Sequence, residues 1–156
     1  MTGALFGAPF LFQLHFIISY FARNYYLKIL KTATLIAVAW LLFVTTLLCT
    51  PGSKLPKISW DDKILLDKWV HIFLFLVLVF LWCRIFLRRP SRINIQKIFL
   101  TITILSVIYG IGMEVIQHYF IPFRSFDYGD MIADALGSIA GYFISLNRFL
   151  KNRLEK

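Results

Sequence analysis

The chain has 156 residues, 59% of them hydrophobic, with 16 phenylalanines and a formal charge of +9. Soluble domains run at about 45–50% apolar residues, so a chain of this length reads as one all-α integral membrane protein rather than a soluble domain. In so apolar a chain the excess lysine and arginine sets topology and meets anionic lipid, which excludes nucleic acid as the expected partner.

Residues 3–22 are apolar, interrupted by Pro9, Gln13 and His15, and are followed by Arg23, Lys28 and Lys31. No basic run precedes them, so they do not match a cleaved signal peptide. Their length allows a fifth span, and their polar interruptions suit an interfacial segment equally well. Residues 1–31 thus form an apolar segment with a basic linker, residues 32–147 a four-helix transmembrane core, and residues 148–156 a basic tail.

The core opens with residues 32–49, which carry no charge and stop at Thr50-Pro51-Gly52. The threonines of this span can bond back to helix carbonyls. A connector with both signs of charge leads to a second span, residues 69–87, with Asp67, Lys68 and His71 at its head and Arg84 near its end. Arg84 can snorkel to the headgroups. Arg88, Arg89, Arg92 and Lys97 then make a strongly basic short connection. The third span starts at residue 98, carries Glu114, Gln117 and His118, and ends at Pro122. The fourth covers residues 131–147 and is entered through Arg124, Asp127 and Asp130.

Basic residues dominate the segments before span one, between spans two and three, and after span four. The positive-inside rule therefore places both ends of the core in the cytoplasm. It also gathers Asp67, Lys68, His71, Glu114, Gln117, Arg124, Asp130 and Asp134 at the outer face. Cys49 and Cys83 fall near opposite faces, in no CxxC or Cys/His cluster, and read as packing residues.

Helical spacing refines this grouping. Asp67 and His71 share a helix face, as do Glu114, Gln117 and His118. Asp130, Asp134, Gly137 and Gly141 follow one stripe, whose Gly-xxx-Gly pair lets a neighbouring helix approach closely. That stripe faces the bundle and carries Asp134 inward, where it must be paired or protonated. Plainer roles stand beside these. Asp67 and Asp130 can cap helix N-termini, His71 can be a packed histidine, Arg124 can anchor to lipid phosphate, and Tyr109 and Tyr128 suit interface anchors. Glu114 and Asp134 have the weakest structural explanations, since acids within a membrane segment point to function by default.

Asp67-Lys68-x2-His71, Tyr109-Gly110-x3-Glu114-x2-Gln117, Pro122-x-Arg124 and Asp130-x3-Asp134-x2-Gly137-x3-Gly141 together resemble the VanZ-like family over residues 34–147. The resemblance implies a small multi-pass protein of the bacterial plasma membrane whose namesake contributes to resistance to the glycopeptide teicoplanin. It carries over Asp67, Lys68, His71, Glu114, Gln117, Arg124 and Asp130 as the polar positions. Asp134 departs from the family pattern, which usually has Asn there; this places a titratable group where an amide is usual.

Three functions are compatible with such a site. It can bind an envelope component, such as a cell-wall precursor or lipid-linked substrate, with Lys68, Arg124 and helix N-termini holding an anion. It can catalyse, with Glu114 as base, His71 as acid and Arg124 and Asp130 completing the site. It can be a structural polar network. No cofactor is implied and no HExxH-type signature is present; His71, Glu114, Asp130 and Asp134 are the N/O ligands a metal variant would use. Membrane lipids are the expected surroundings. A transport path through so few spans would require a homo-oligomer.

Overall fold

The computed structural model describes the backbone of residues 7–51, 53, 60–87 and 94–154, and the side chains of residues 27–51, 53, 66–87 and 94–154. Four helices account for nearly all of this: α1 (Gly7–Leu48), α2 (Trp60–Arg84), α3 (Ile95–Phe120) and α4 (Tyr128–Leu154). They run alternately up and down. The end of α1, the start of α2, the end of α3 and the start of α4 therefore share one end of the bundle.

Leu27–Leu48, Leu66–Arg84 and Ile95–Phe120 are each long and apolar enough to cross a membrane. The fourth helix is more polar, and its polarity is turned inside out relative to a soluble protein. Its buried face is Asp130, Ala133, Asp134, Gly137, Ser138, Gly141 and Ser145. Ile132, Leu136, Ile139 and Phe143 line its exposed face, a stripe at helical spacing that suits acyl chains rather than water.

Two expectations change. Residues 7–22 are not a separate element: α1 continues without a break to Leu48, whereas a fifth span would need a turn. At roughly 1.5 Å per residue a helix of 42 residues reaches about 63 Å, twice the hydrocarbon thickness. Asp67 is not a helix cap either, because α2 begins at Trp60 and leaves it two turns inside.

The tightest joint is between α2 and α4. A Cβ on Gly137 would collide with the Ile72 carbonyl, and one on Gly141 would lie 2.7 Å from Leu76 O. Only glycine lets the α2 backbone come so close. The apolar core has two parts. Val44, Leu48, Leu74, Phe75, Leu78 and Met113 fill one end, and Val79, Cys83, Ile95 and Phe99 the other. Cys49 and Cys83 lie at these opposite ends and are unpaired. Ser106 and Ser138 hydrogen-bond between the two at 2.9 Å. Thr45 and Thr46 donate to the carbonyls four residues before them, as expected.

Candidate functional site

At the shared end of the bundle, α4 starts with Asp127 as its N-cap. The Asp127 carboxylate accepts from the Gly129 amide at 2.6 Å, satisfying one of the free N–H groups of the first turn. The Asp127 amide in turn donates to Glu114 Oε2 at 3.2 Å. This is the capping-box exchange, except that the glutamate comes from α3 and so fastens α3 to the head of α4. Capping was expected of Asp130, which instead lies in the first turn with its side chain buried.

Lys68 of α2 binds both acids of this turn, at 3.0 Å to Asp127 and 3.1 Å to Asp130. Partial burial pushes the Asp127 carboxyl up, but the Lys68 ammonium and the Gly129 amide outweigh it and hold the group below the usual carboxylate range. One turn deeper, His71 Nδ1 lies 2.8 Å from Asp134 Oδ1. Its other ring nitrogen, Nε2, is 3.9 Å from Asp130 Oδ2, too far for a hydrogen bond. His71 and Asp134 are each only 2% exposed, so this pair is sealed within the bundle.

Asp134 Oδ2 is buried without a hydrogen-bond partner. A Cβ on Gly110 would sit 2.7 Å from it, so the missing side chain at Gly110 makes the room that Asp134 occupies. The pairing that Asp134 requires is thus supplied at one oxygen only. Asp67, half-buried on the same face of α2 as His71, makes no hydrogen bond among the described residues. Its carboxylate, His71 and Asp130 bring one donor atom each to within 4.8 Å of one another.

The eight residues singled out from sequence thus divide. Asp67, Lys68, His71, Asp130 and Asp134 form one cluster, and Glu114 adjoins it, within electrostatic reach of His71, Asp130 and Asp134. Gln117 and Arg124 turn elsewhere. Gln117 Nε2 donates to Leu48 O at 2.9 Å and Arg124 Nε to Thr50 O at 3.4 Å, so both tie down the end of α1. Among the described residues Arg124 pairs with no carboxylate. His118 is exposed and packs its ring on Tyr119 and Phe126. Tyr128 is exposed, as an interface anchor should be. Tyr109 is not such an anchor: it bonds Thr45 at 2.8 Å and packs beside Phe75.

The contribution of Asp127 was missed at the level of role. Asp127 directly precedes the apolar periodicity of α4, which is the ordinary position of a cap, but Asp130 competes for it. In the turn before it, Phe123 has φ 60°, a left-handed conformation unusual for a bulky residue.

The fold and the cluster define an all-α membrane protein with an acidic polar site sunk into one end of its helix bundle. The VanZ/LLP1 family profile matches residues 4–150, and the chain belongs to that family. The match takes in α1 from near its start, beyond the residues at which the motifs begin. An uncharacterized protein of the fission yeast Schizosaccharomyces pombe is 36% identical over 92 residues, 58% of this chain and 52% of the relative. The chain therefore spans about half the length of that relative. No solved structure matches.

Proposed function

We propose that the acidic end of the bundle is a binding site for the polar part of a cell-envelope component, presented at the outer face of the membrane. The observation that carries this is an imbalance of charge. Asp67, Glu114, Asp127, Asp130 and Asp134 gather around one ammonium, Lys68, and one imidazole, His71. A structural network would be expected to balance itself, because uncompensated buried charge is costly. This one has acceptor capacity left over.

That surplus alters the chemistry expected of the ligand. Lys68 is already matched by two aspartates, and Arg124 pairs with none of the cluster's carboxylates and directs its Nε to the Thr50 carbonyl. Within the cluster the acids therefore outnumber the cations, and a phosphate or carboxylate is disfavoured. Carboxylates with open lone pairs accept from hydroxyl and ammonium donors instead. The ligand that fits is the sugar or amine portion of a lipid-linked envelope component, its apolar part dissolved in the bilayer. Glycopeptide resistance is one outcome that binding of a cell-wall precursor can produce.

The outward orientation rests on the basic opposite end. In a protein with Cys49 and Cys83 replaced by serine, a membrane-impermeant thiol reagent added to intact cells should label Ser125→Cys and spare Asn152→Cys. The reverse pattern would turn the site to the cytoplasm.

A catalytic reading has one observation in its favour. The Asp134–His71 pair leaves Nε2 as the ring nitrogen without a hydrogen bond among the described residues, the arrangement of a carboxylate-oriented general base. Glu114, by contrast, is occupied with the Asp127 amide. Binding and catalysis separate in one experiment. The full chain in nanodiscs is offered a lipid-linked disaccharide, an aminolipid and an anionic lipid with neither sugar nor amine, followed by mass spectrometry of complexes and products. The expected result is at least tenfold preference for the first two over the third, abolished in Asp130→Asn. Equal binding of all three sinks the proposal, and an altered lipid recovered after many equivalents establishes turnover.

A further inference from the structure

We infer that Asp67, His71 and Asp130 form a binding site for one divalent transition-metal ion of the Zn2+ or Mn2+ class. This rests on the reading of the acidic end as a working site, and it names what would neutralise its surplus charge.

The donor set is one imidazole nitrogen and two carboxylate oxygens, from α2 and α4. Mixed N/O sets of this kind suit Zn2+, Mn2+ and Fe2+ better than Ca2+ or Mg2+, which prefer oxygen alone. The donors lie within 4.8 Å of one another. Rotation of Asp67 can draw them to the ~3–4 Å that separates ligands on a single ion. Asp67 is available for this because it makes no hydrogen bond among the described residues.

The ring of His71 supplies the independent observation. The residue is only 2% exposed, yet Nε2 makes no hydrogen bond among the described residues and lies 3.9 Å from Asp130 Oδ2. Its Nδ1 is meanwhile held by Asp134 at 2.8 Å. When Nδ1–H donates to a carboxylate, the tautomer is set and the lone pair sits on Nε2, facing the other two donors. This is the carboxylate–histidine–metal relation by which metal-binding histidines are commonly oriented. It moves Asp134 from the ligands to the group behind them, and leaves out Glu114, which is fastened to the Asp127 amide. The proposed ligands therefore differ from the set suggested by helical spacing alone, with Asp67 replacing Glu114 and Asp134. The ion would place a cation among five carboxylates and keep coordination positions for water or a ligand hydroxyl.

The test uses the full chain in detergent, stripped of metal and free of added lipid, titrated with Zn2+ and Mn2+ against a competing chelator. One ion per chain is expected, with a rise in the unfolding midpoint. Asp67→Asn and His71→Ala should each weaken binding at least tenfold, and Asp134→Ala should weaken it about 10- to 100-fold through the freed ring. Should His71→Ala fail to fold, Asp67→Asn carries the test, since it removes no hydrogen bond among the described residues. No stoichiometric binding by the wild type, or binding by Asp67→Asn as tight as wild type, overturns the proposal. A protein that binds metal but no sugar- or amine-bearing lipid sinks only the binding reading above. One that selects those lipids equally well after metal removal, and binds no metal, sinks only this inference.

Discussion

The two ends of this bundle are built from opposite charges and held in opposite ways. At one end, Lys68 holds Asp127 and Asp130 and His71 holds Asp134 through short contacts, and His71, Asp130 and Asp134 are buried inside the bundle. At the other, Lys28, Arg84 and Arg148 line a groove of about 540 Å³ together with Ile36, Leu81 and Leu87, and among the described residues no acidic one lines it. Arg148 sits 5.9 Å from the Phe80 ring centroid and Arg153 5.2 Å from that of Phe149, the arrangement of long stems lying on apolar surface with their charges outward. Among the described residues α1 packs on α2 and α3 but not on α4, which leaves the groove open. Cations at the basic end are thus replaceable by any exposed base. At the acidic end each group depends on the position of another, which is the property of a site.

The largest effect on this comparison should come from the joint that both ends share. Gly137→Val sets a branched side chain against the Ile72 carbonyl, and should abolish the monodisperse folded species seen on size exclusion. Gly112→Val, where a Cβ meets nothing within 4 Å, should leave it intact.

Next comes removal of the charge that links the acidic groups. Lys68→Met leaves Asp130 buried without its ammonium, and the loss of one partner of a buried pair costs about 3–5 kcal/mol. Lys68 is about one-third exposed, which lowers the expectation to roughly 2–3 kcal/mol. Arg84→Met at the basic end should stay within about 0.5 kcal/mol. Equal losses in a reversible unfolding assay would erase the distinction between the ends.

A smaller change follows from Gln117→Leu, which deprives Leu48 O of its donor and should cost about 1–2 kcal/mol, without altering ligand selection. The smallest concerns pH. Because the Asp127 carboxyl is held below its usual range, it lends stability that is present above the unfolded-state value and lost as pH falls through the folded one. Unfolding midpoints taken from neutral to acid pH should therefore fall more steeply for wild type than for Asp127→Asn. Parallel curves would show that the Lys68 contact lends nothing.

Much of this was legible in the residues because a membrane imposes few solutions. Uncharged runs bounded by Thr50-Pro51-Gly52 and by Pro122 mark helices, and the 130/134/137/141 stripe faces inward as its period requires. Gathering Asp67, Lys68 and His71 with Asp130 and Asp134 needed only the alternation of spans. Side-chain direction was not legible. Gln117 shares a face with Glu114, yet it reaches α1, because the carbonyls at the end of that helix need a donor. Arg124 follows the same demand at Thr50. The continuity of α1 was hidden by Pro9 and the polar residues within the first turns, which read as interruptions but are tolerated in the helix. The pairing of His71 with Asp134 depends on the space left by Gly110, a vacancy that spacing within one helix cannot reveal.

Asp67 tests the central claim most directly, because it belongs to the cluster without holding it together. Asp67→Asn should leave the unfolding free energy within about 0.5 kcal/mol of wild type while lowering affinity for the lipid-linked disaccharide at least tenfold. Unchanged affinity, or a loss of stability as large as that of Lys68→Met, would mean that the acidic end is a staple of the fold and not a site.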